Sequence, residues 1–426
     1  MRRLTLLTVL IFTIYLLGLA ALDGELIALA IPLAVYLGFG MLRSPQNNAL
    51  EVTRTLEMER TRPLNAVRVQ IKIVNRGPAV DEILVRDGVP DGLRVTQGQS
   101  AARLPLPDGG QHTWAYTVQG NRGTYDFQEV SAVLSEHLGV AHRTLHYPLR
   151  SRLTVLPDSY PLRKLSIRPT RTRGFAGPIP SRQSGSGTDF FGVREYQLGD
   201  PFRWINWRLS ARHNELLFSN EFEQERLADV GIILDARERT NIGVTEGSSP
   251  ALFESSVQAA AALAEQFLED GNRVGLLVYG RGLDRTFPGY GRHQRERIFQ
   301  ALARATIGDS LVFDSLDFLP TRFFPARSQI VLITPLCAED PPVLARVRAR
   351  GYEVLVVSPD PVDYEATRLG NDSLTALAAR IAAVERALWL RSLERVGIQV
   401  VDWKVGSSLD AAIHAALRPA FRMVRR

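Results

Sequence analysis

From Ala228 onward, continuous apolar runs alternate with helical patterns, and this alternation constrains the fold more than any other feature of the chain. Val230-Gly231-Ile232-Ile233-Leu234 contains no polar residue, as a parallel strand buried on both faces requires. An Ala-rich helical stretch follows at 250–269 and stops at Gly271. Further strands read at 273–279, at 329–334, at 352–357 and at 398–403, with a short edge segment at 285–287. Helical patterns read at 293–305, after the strands at 329–334 and 352–357, and at 409–423. The pattern predicts a doubly wound α/β domain over 228–426, its parallel sheet covered by helices on both faces.

The other end of the chain is different in kind. Leu4 to Leu22 and Leu26 to Leu42 carry no charged residue and are separated only by Asp23-Gly24-Glu25. As helices each would reach about 25–29 Å, close to the ~30 Å hydrocarbon core of a bilayer. Residues 1–43 are therefore expected to form a transmembrane hairpin of two helices. Arg2, Arg3 and Arg43 flank it, and the positive-inside rule places both ends, and the bulk of the chain, in the cytoplasm of a multi-pass cell-membrane protein. A cleaved signal peptide fits less well, because a second apolar run follows at once and Ala20-Ala21-Leu22 is a poor cleavage site.

Between these ends, 50–157 reads as a β-rich, sandwich-like domain. Val67 to Ile73 alternates with period two and stops at Asn75-Arg76-Gly77-Pro78. Similar strands read at 83–85, 112–119 and 143–149, with Pro-Asp-Gly turns at 90–92 and 107–109. His142 and His146 share a strand face, but two histidines without a third ligand are a weak metal site and read as solvated residues. The segment 158–227 combines a basic, breaker-rich loop with an aromatic-basic stretch. Its part from 163 to 188 holds Arg163, Lys164, Arg168, Arg171, Arg173 and Arg182 and no acidic residue before Thr188; it reads as a mobile connector able to meet an acidic partner or anionic lipid. The whole-chain excess of 51 basic over 45 acidic residues is mild, so nucleic acid is not an expected partner. A single cysteine, Cys337, excludes a disulfide framework.

The stretch from Arg194 to Arg212 is the most specific motif. Asp200-Pro201 is a helix start, aspartate as N-cap and proline at N1, and Trp204, Trp207 or Arg208, and Ala211 would then share one helical face. On composition alone this is an aromatic-basic helix packed on a sheet, with Glu195, Asp200 and Arg203, Arg208 and Arg212 in an ion-pair network. The ordered string formed by Arg194, Glu195, Tyr196, Gly199, Asp200, Arg203, Ile205, Asn206, Trp207, Ser210, Ala211 and Arg212 resembles the signature of domain-of-unknown-function family 58. In that family such a segment leads into a von Willebrand factor type A-like domain. The order of elements after 228, with its short edge strand, looks like that domain as well. Arg122-Gly123-Thr124-Tyr125-Asp126 resembles a motif of the family's β domain, whereas Glu136-His137-Leu138-Gly139 departs from the usual Asp-Pro-Phe-Gly.

The resemblance implies a metal site that the residues do not fit. Such domains end the first strand with Asp-x-Ser-x-Ser, and the acid and hydroxyls hold Mg²⁺. Here the run is Asp235-Ala236-Arg237-Glu238-Arg239, with arginines at both hydroxyl positions, and the later Ser-Asp reads Thr334-Pro335. A guanidinium offers a metal no lone pair, so no metal and no cofactor is expected. What remains is a cleft lined by Asp235, Arg237, Arg239 and Thr334, open to an acidic side chain. No GxSxG, GxxxxGK[ST], HExxH or strand-borne GxGxxG occurs. The reading is a non-enzymatic, membrane-anchored interaction protein that docks partners through the signature; the resemblance implies a MoxR-type AAA+ ATPase partner and a chaperone-like or assembly role. The alternatives are an enzyme with an unrecognised site in the α/β cleft and a basic nucleic-acid-binding membrane protein.

Overall fold

The computed structural model of the protein describes residues 2–42, 49–135, 142–165, 172–173, 179–213, 216–242, 252–308, 315–368 and 373–417. The chain divides into two compact units, Met1–Leu156 and Pro157–Arg426.

The first unit opens with α1 (Arg2–Ala21) and α2 (Gly24–Leu42), which pack against each other. Among the described residues, no helix is long and apolar enough to cross a membrane. That corrects the expected two-span hairpin, and with it the multi-pass membrane placement. A span needs about 20 consecutive apolar residues in one helix. The uncharged runs are shorter than that, Leu4–Ala21 in α1, which ends before Leu22 (φ +54°), and Leu26–Leu42 in α2, which contains Pro32.

Among the described residues eleven strands follow: β1 (Leu50–Leu56), β2 (Arg60–Thr61), β3 (Val67–Asn75), β4 (Val80–Asp87), β5 (Leu93–Gln97), β6 (Ala101–Leu106), β7 (Gln111–Gly120), β8 (Gly123–Phe127), β9 (Val130–Ser135), β10 (His142–Tyr147) and β11 (Ser151–Val155). They form two antiparallel sheets, β1-β3-β7-β5 and β10-β9-β4-β6, and a small third, β2-β11-β8. The alternation of β3 puts Val67, Val69, Ile71 and Ile73 in one core with Ile83, Val85 and Leu134 from the second sheet. A buried cation fastens this core. Arg54 donates to the carboxylate of Asp87 and to Leu149 O and Glu129 O, and its guanidinium lies 5.0 Å from the centroid of the Phe127 ring. Tyr116 Oη donates to Asp87 Oδ2 at 2.6 Å, and burial first, with Asp87 second, holds its hydroxyl well above the ordinary tyrosine range. His142 and His146 are exposed on β10, and His146 Nδ1 lies 3.2 Å from Glu129 Oε1.

In the second unit β12 (Thr172–Arg173) and β13 (Ile179–Glu195) pair antiparallel with the first part of β14 (Phe218–Ala236). Of the connector expected over 163–188, residues 163–165 are without regular structure and 172–173 and 179–188 are strand, and Arg168 and Arg171 lie outside the described residues. The last part of β14 enters a sheet with β15 (Arg273–Gly280), β16 (Leu283–Gly289), β17 (Gln329–Ile333), β18 (Glu353–Pro359) and β19 (Gln399–Trp403), ordered β16-β15-β14-β17-β18-β19. All neighbours are parallel except β16, which returns antiparallel along β15. Between the strands come α3 (Trp207–Ser210), α4 (Leu252–Glu269), α5 (Gly291–Arg304), α6 (Asp340–Ala349), α7 (Pro361–Ala366) and α8 (Ser373–Arg395), with α9 (Leu409–Leu417) at the end.

Strand residues alternate between two apolar layers. Ile233, Leu277, Leu332 and Val356 share a core with Leu344 of α6 and Leu390 and Leu393 of α8, while the alternate residues Ile232, Leu276 and Val331 are equally buried. Gly231 on β14 is required by close approach: a Cβ there would lie 2.6 Å from Phe324 Cδ1. Gly231→Ala should therefore destabilise the fold by about 1–3 kcal/mol, the usual cost of overpacking. Phe324→Ala alone should cost about 3–5 kcal/mol through the cavity it leaves. Denaturant unfolding of the double variant should show less than the sum; additive costs would mean that the ring does not press on Gly231.

Candidate functional site

The strand order reverses direction between β14 and β17, so the crevice of this α/β unit lies at their carboxyl ends. Asp235 is near the end of β14, Thr334 follows β17, and Arg237 leaves β14 in extended conformation before a 3₁₀ turn at Glu238–Thr240. The side chain of Arg237 turns inward, leaving 1% of the residue exposed. Its Nε and Nη2 donate to the two oxygens of Asp235 at 2.9 and 2.7 Å. Nη1 and Nη2 also donate to the two oxygens of Asp340, the first residue of α6, at 3.1 and 2.9 Å. Thr334 Oγ1 donates to Asp235 Oδ2 at 2.7 Å and accepts from Leu336 N, and Cys337 N donates to Asp340 Oδ2.

Every carboxylate oxygen in the crevice is therefore engaged, and the central cation is a guanidinium belonging to the chain itself. Burial works against that charge, but the two carboxylates and their hydrogen bonds outweigh it and hold the guanidinium above its ordinary value. This corrects the expectation that Arg237 lines an open cleft and receives an acidic side chain. Arg239 does stand at the rim, paired with Glu339 at 2.7 Å and one-third exposed. The sequence reading missed Asp340. The signal for it was an aspartate ahead of Pro341-Pro342, a helix start in the loop that begins at Thr334. Among the described residues no cluster of three or more His, Cys, Asp or Glu could hold a metal ion.

The signature segment occupies the connection between β13 and β14. It is not the single helix expected from Asp200-Pro201. A 3₁₀ turn at Phe202–Trp204 gives way to extended backbone at Ile205, which bridges to Ser219, and only Trp207–Ser210 is α-helical. Asn206 supplies the cap instead: its Oδ1 accepts from Leu209 N at 3.0 Å, and its Nδ2 donates to Asn220 Oδ1 at 2.8 Å. Asp200 serves the turn before it. It accepts from Arg194 Nη2 at 2.7 Å and from Gln197 N at 3.0 Å, and those bonds, Arg194 first, hold its carboxyl below the ordinary range. Arg194, rather than Arg203, is its partner, and Arg194 Nε also meets Glu221 Oε1 at 2.9 Å. Tyr196 Oη donates to Asp200 O, and Gly199 takes φ +111° in the turn, a conformation that favours glycine.

These bonds pin the polar half of the motif and leave the other half outside. Phe202 is 77% exposed and Trp207 64%. Arg203, Arg208, Ala211 and Arg212 are exposed too, as is Glu195, whereas Trp204 is half-buried. The expected packing of an aromatic-basic helix on the sheet is thus corrected for Trp207, which stays exposed.

Arg237→Ala leaves two buried carboxylates without their cation and should cost on the order of 3–5 kcal/mol in unfolding experiments, whereas Arg239→Ala breaks an exposed pair and should cost about 0–1 kcal/mol. Thermal melts of the native chain with excess Mg²⁺ and with chelator should coincide; an upward shift with Mg²⁺ would reveal a bound ion. Burial, and then the charge of Asp340, push the Cys337 thiol up to about 12. Its alkylation at pH 8 should run roughly a thousandfold slower than that of an ordinary thiol and speed up as pH approaches that value. Rapid labelling of the folded chain at pH 8 would refute the burial.

Residues 192–385, which hold both the signature and the Arg237 crevice, match the family described as "Protein of unknown function DUF58". The uncharacterised protein YeaD of Bacillus subtilis (strain 168) is 27% identical over 203 residues, which cover 47% of this chain and 48% of that protein. The chain thus spans about half the length of this curated relative. Two solved structures share a distant likeness. A CARDB domain from Pyrococcus furiosus is 13% identical with a TM-score of 0.20, covering 26% of this chain and 92% of that one. A FixG-related protein from Vibrio parahaemolyticus is 9% identical with a TM-score of 0.18, covering 25% and 95%. Over residues 192–385 this chain is similar to the DUF58 family, whose function is unknown.

Proposed function

We propose that this chain is a non-enzymatic interaction protein that docks a partner through its signature segment, and that the partner is a MoxR-type AAA+ ATPase served in a chaperone-like or assembly role. The observation that carries the reading is the exposure of Trp207 and Phe202 on a segment whose polar residues are tied down by Asp200, Arg194 and Asn206. Large aromatics presented on a pre-organised loop beside Arg203, Arg208 and Arg212 have the composition of an interface hot spot, and truncating them costs folding little. The arginines favour an acidic surface on the partner. Against an enzyme in the crevice, the acids there are spent on Arg237 and Thr334.

The test is capture of the chain by an immobilised MoxR-type ATPase encoded by the same genome. Trp207→Ala and Phe202→Ala should melt within about 1 kcal/mol of the native chain yet each lose tenfold or more in capture, the usual hot-spot loss. Arg208→Glu and Arg212→Glu should weaken capture without unfolding the chain. Undiminished capture by all four variants would sink the reading. Salt-sensitive DNA affinity would favour nucleic acid instead, and turnover by the purified chain would favour an enzyme.

A further inference from the structure

We infer that α8 is a self-association helix, through which two copies of this chain pair side by side and in parallel. This goes beyond docking at the signature and uses a different surface. The helix Ser373–Arg395 already has an inner face: Arg386, Leu390 and Leu393 are buried against the sheet. Arg386 itself donates to Pro335 O, Ser358 Oγ and Asp402 Oδ1. On nearly the opposite side runs a second apolar stripe, Leu374, Leu377, Ile381, Val384 and Leu388, each between 53% and 73% exposed. Its spacing alternates three and four, that of the a and d positions of a coiled-coil seam. A helix that packs once on a sheet needs one such stripe; the outer one has no counterpart in its own unit among the described residues.

The flanking charges select the occupant. With Leu374, Ile381 and Leu388 at a, Arg380 falls at g and Glu385 at the following e position, both exposed. In a parallel pair g faces the e position five residues on in the other helix. Arg380 then meets Glu385 of the second copy, and the two-fold axis repeats the contact with the roles exchanged. An antiparallel pair overlapping the same seam sets Arg380 against Ala387 and Glu385 against Ala378, with no charge pair on either flank. The seam covers two heptads, about 22 Å of helix. Such a short coil makes a concentration-dependent dimer rather than an obligate one.

Site-specific cross-linking of the full chain tests this and separates it from association through any other face, including the exposed apolar residues Leu6 and Phe12 of α1. In a Cys337→Ser background, Leu377→Cys and Val384→Cys should each form a disulfide with the same position of a second copy under mild oxidation. Ala383→Cys, exposed but off the seam, should not. In sedimentation experiments over a concentration series the native chain should dimerise, and Ile381→Glu should weaken that tenfold or more while leaving the melting temperature unchanged at concentrations where both are monomeric. Arg380→Glu and Glu385→Arg should each weaken the Leu377→Cys cross-link several-fold, and the double exchange should restore it. A native chain that stays monomeric, equal cross-linking at Ala383→Cys, or a double exchange that restores nothing overturns the proposal.

Discussion

The α/β unit turns on one guanidinium. Arg237 lies between Asp235 and Asp340, and through those residues it joins the end of β14 to the start of α6. Thr334 and Cys337 N extend the contact to the loop after β17. A buried ion pair of this kind gives little net stability over an apolar packing, because desolvation offsets most of the attraction. What it imposes is geometry. The planar fork accepts carboxylates only along two edges, so the loop after β17 and the start of α6 have one position relative to β14. A metal ion in the same place would leave one position open to solvent or to a partner. A guanidinium leaves none.

The same device recurs at other seams. Arg54 ties Asp87 to two backbone carbonyls inside the sandwich, and Arg386 gathers Pro335 O, Ser358 and Asp402 at the ends of three chain segments. In each case a long side chain from one element reaches acceptors that are far apart in sequence. The chain's arginines therefore serve as internal fasteners as well as surface charge, and its modest net charge of +6 says little about its partners.

How legible the molecule was follows from which signals are local. The apolar run Val230–Leu234 and the alternation Val67–Ile73 are local patterns, and the burial of both strands follows from them. The reach of β14 back to Phe218 was hidden, because the sequence of its first half, with Asn220, Glu221, Glu223, Gln224 and Glu225, shows no apolar alternation, although its backbone pairs antiparallel with β13. Asp200-Pro201 was misread for a related reason. Aspartate before proline caps a helix only if it keeps its side chain for the helix amides, and here Arg194 and Gln197 N hold that carboxylate. Asp235 and Arg237 were visible as a pair at a strand end, but Asp340 lies 103 residues from Arg237 and could be found only in three dimensions.

The continuity of β14 has a mechanical consequence. Residues 218–226 are laced to β13 beside the signature, and farther along the same unbroken strand residues 229–236 are laced to β15 on one side and 230–234 to β17 on the other. A partner that pulled on the signature along the strand would load the parallel ladders in shear, so that their hydrogen bonds share the force and cannot open one at a time. The aromatic loop is thus attached to its support as a rope is to a splice, and the Arg237 clasp sits at the far end, where the strand would otherwise begin to slip.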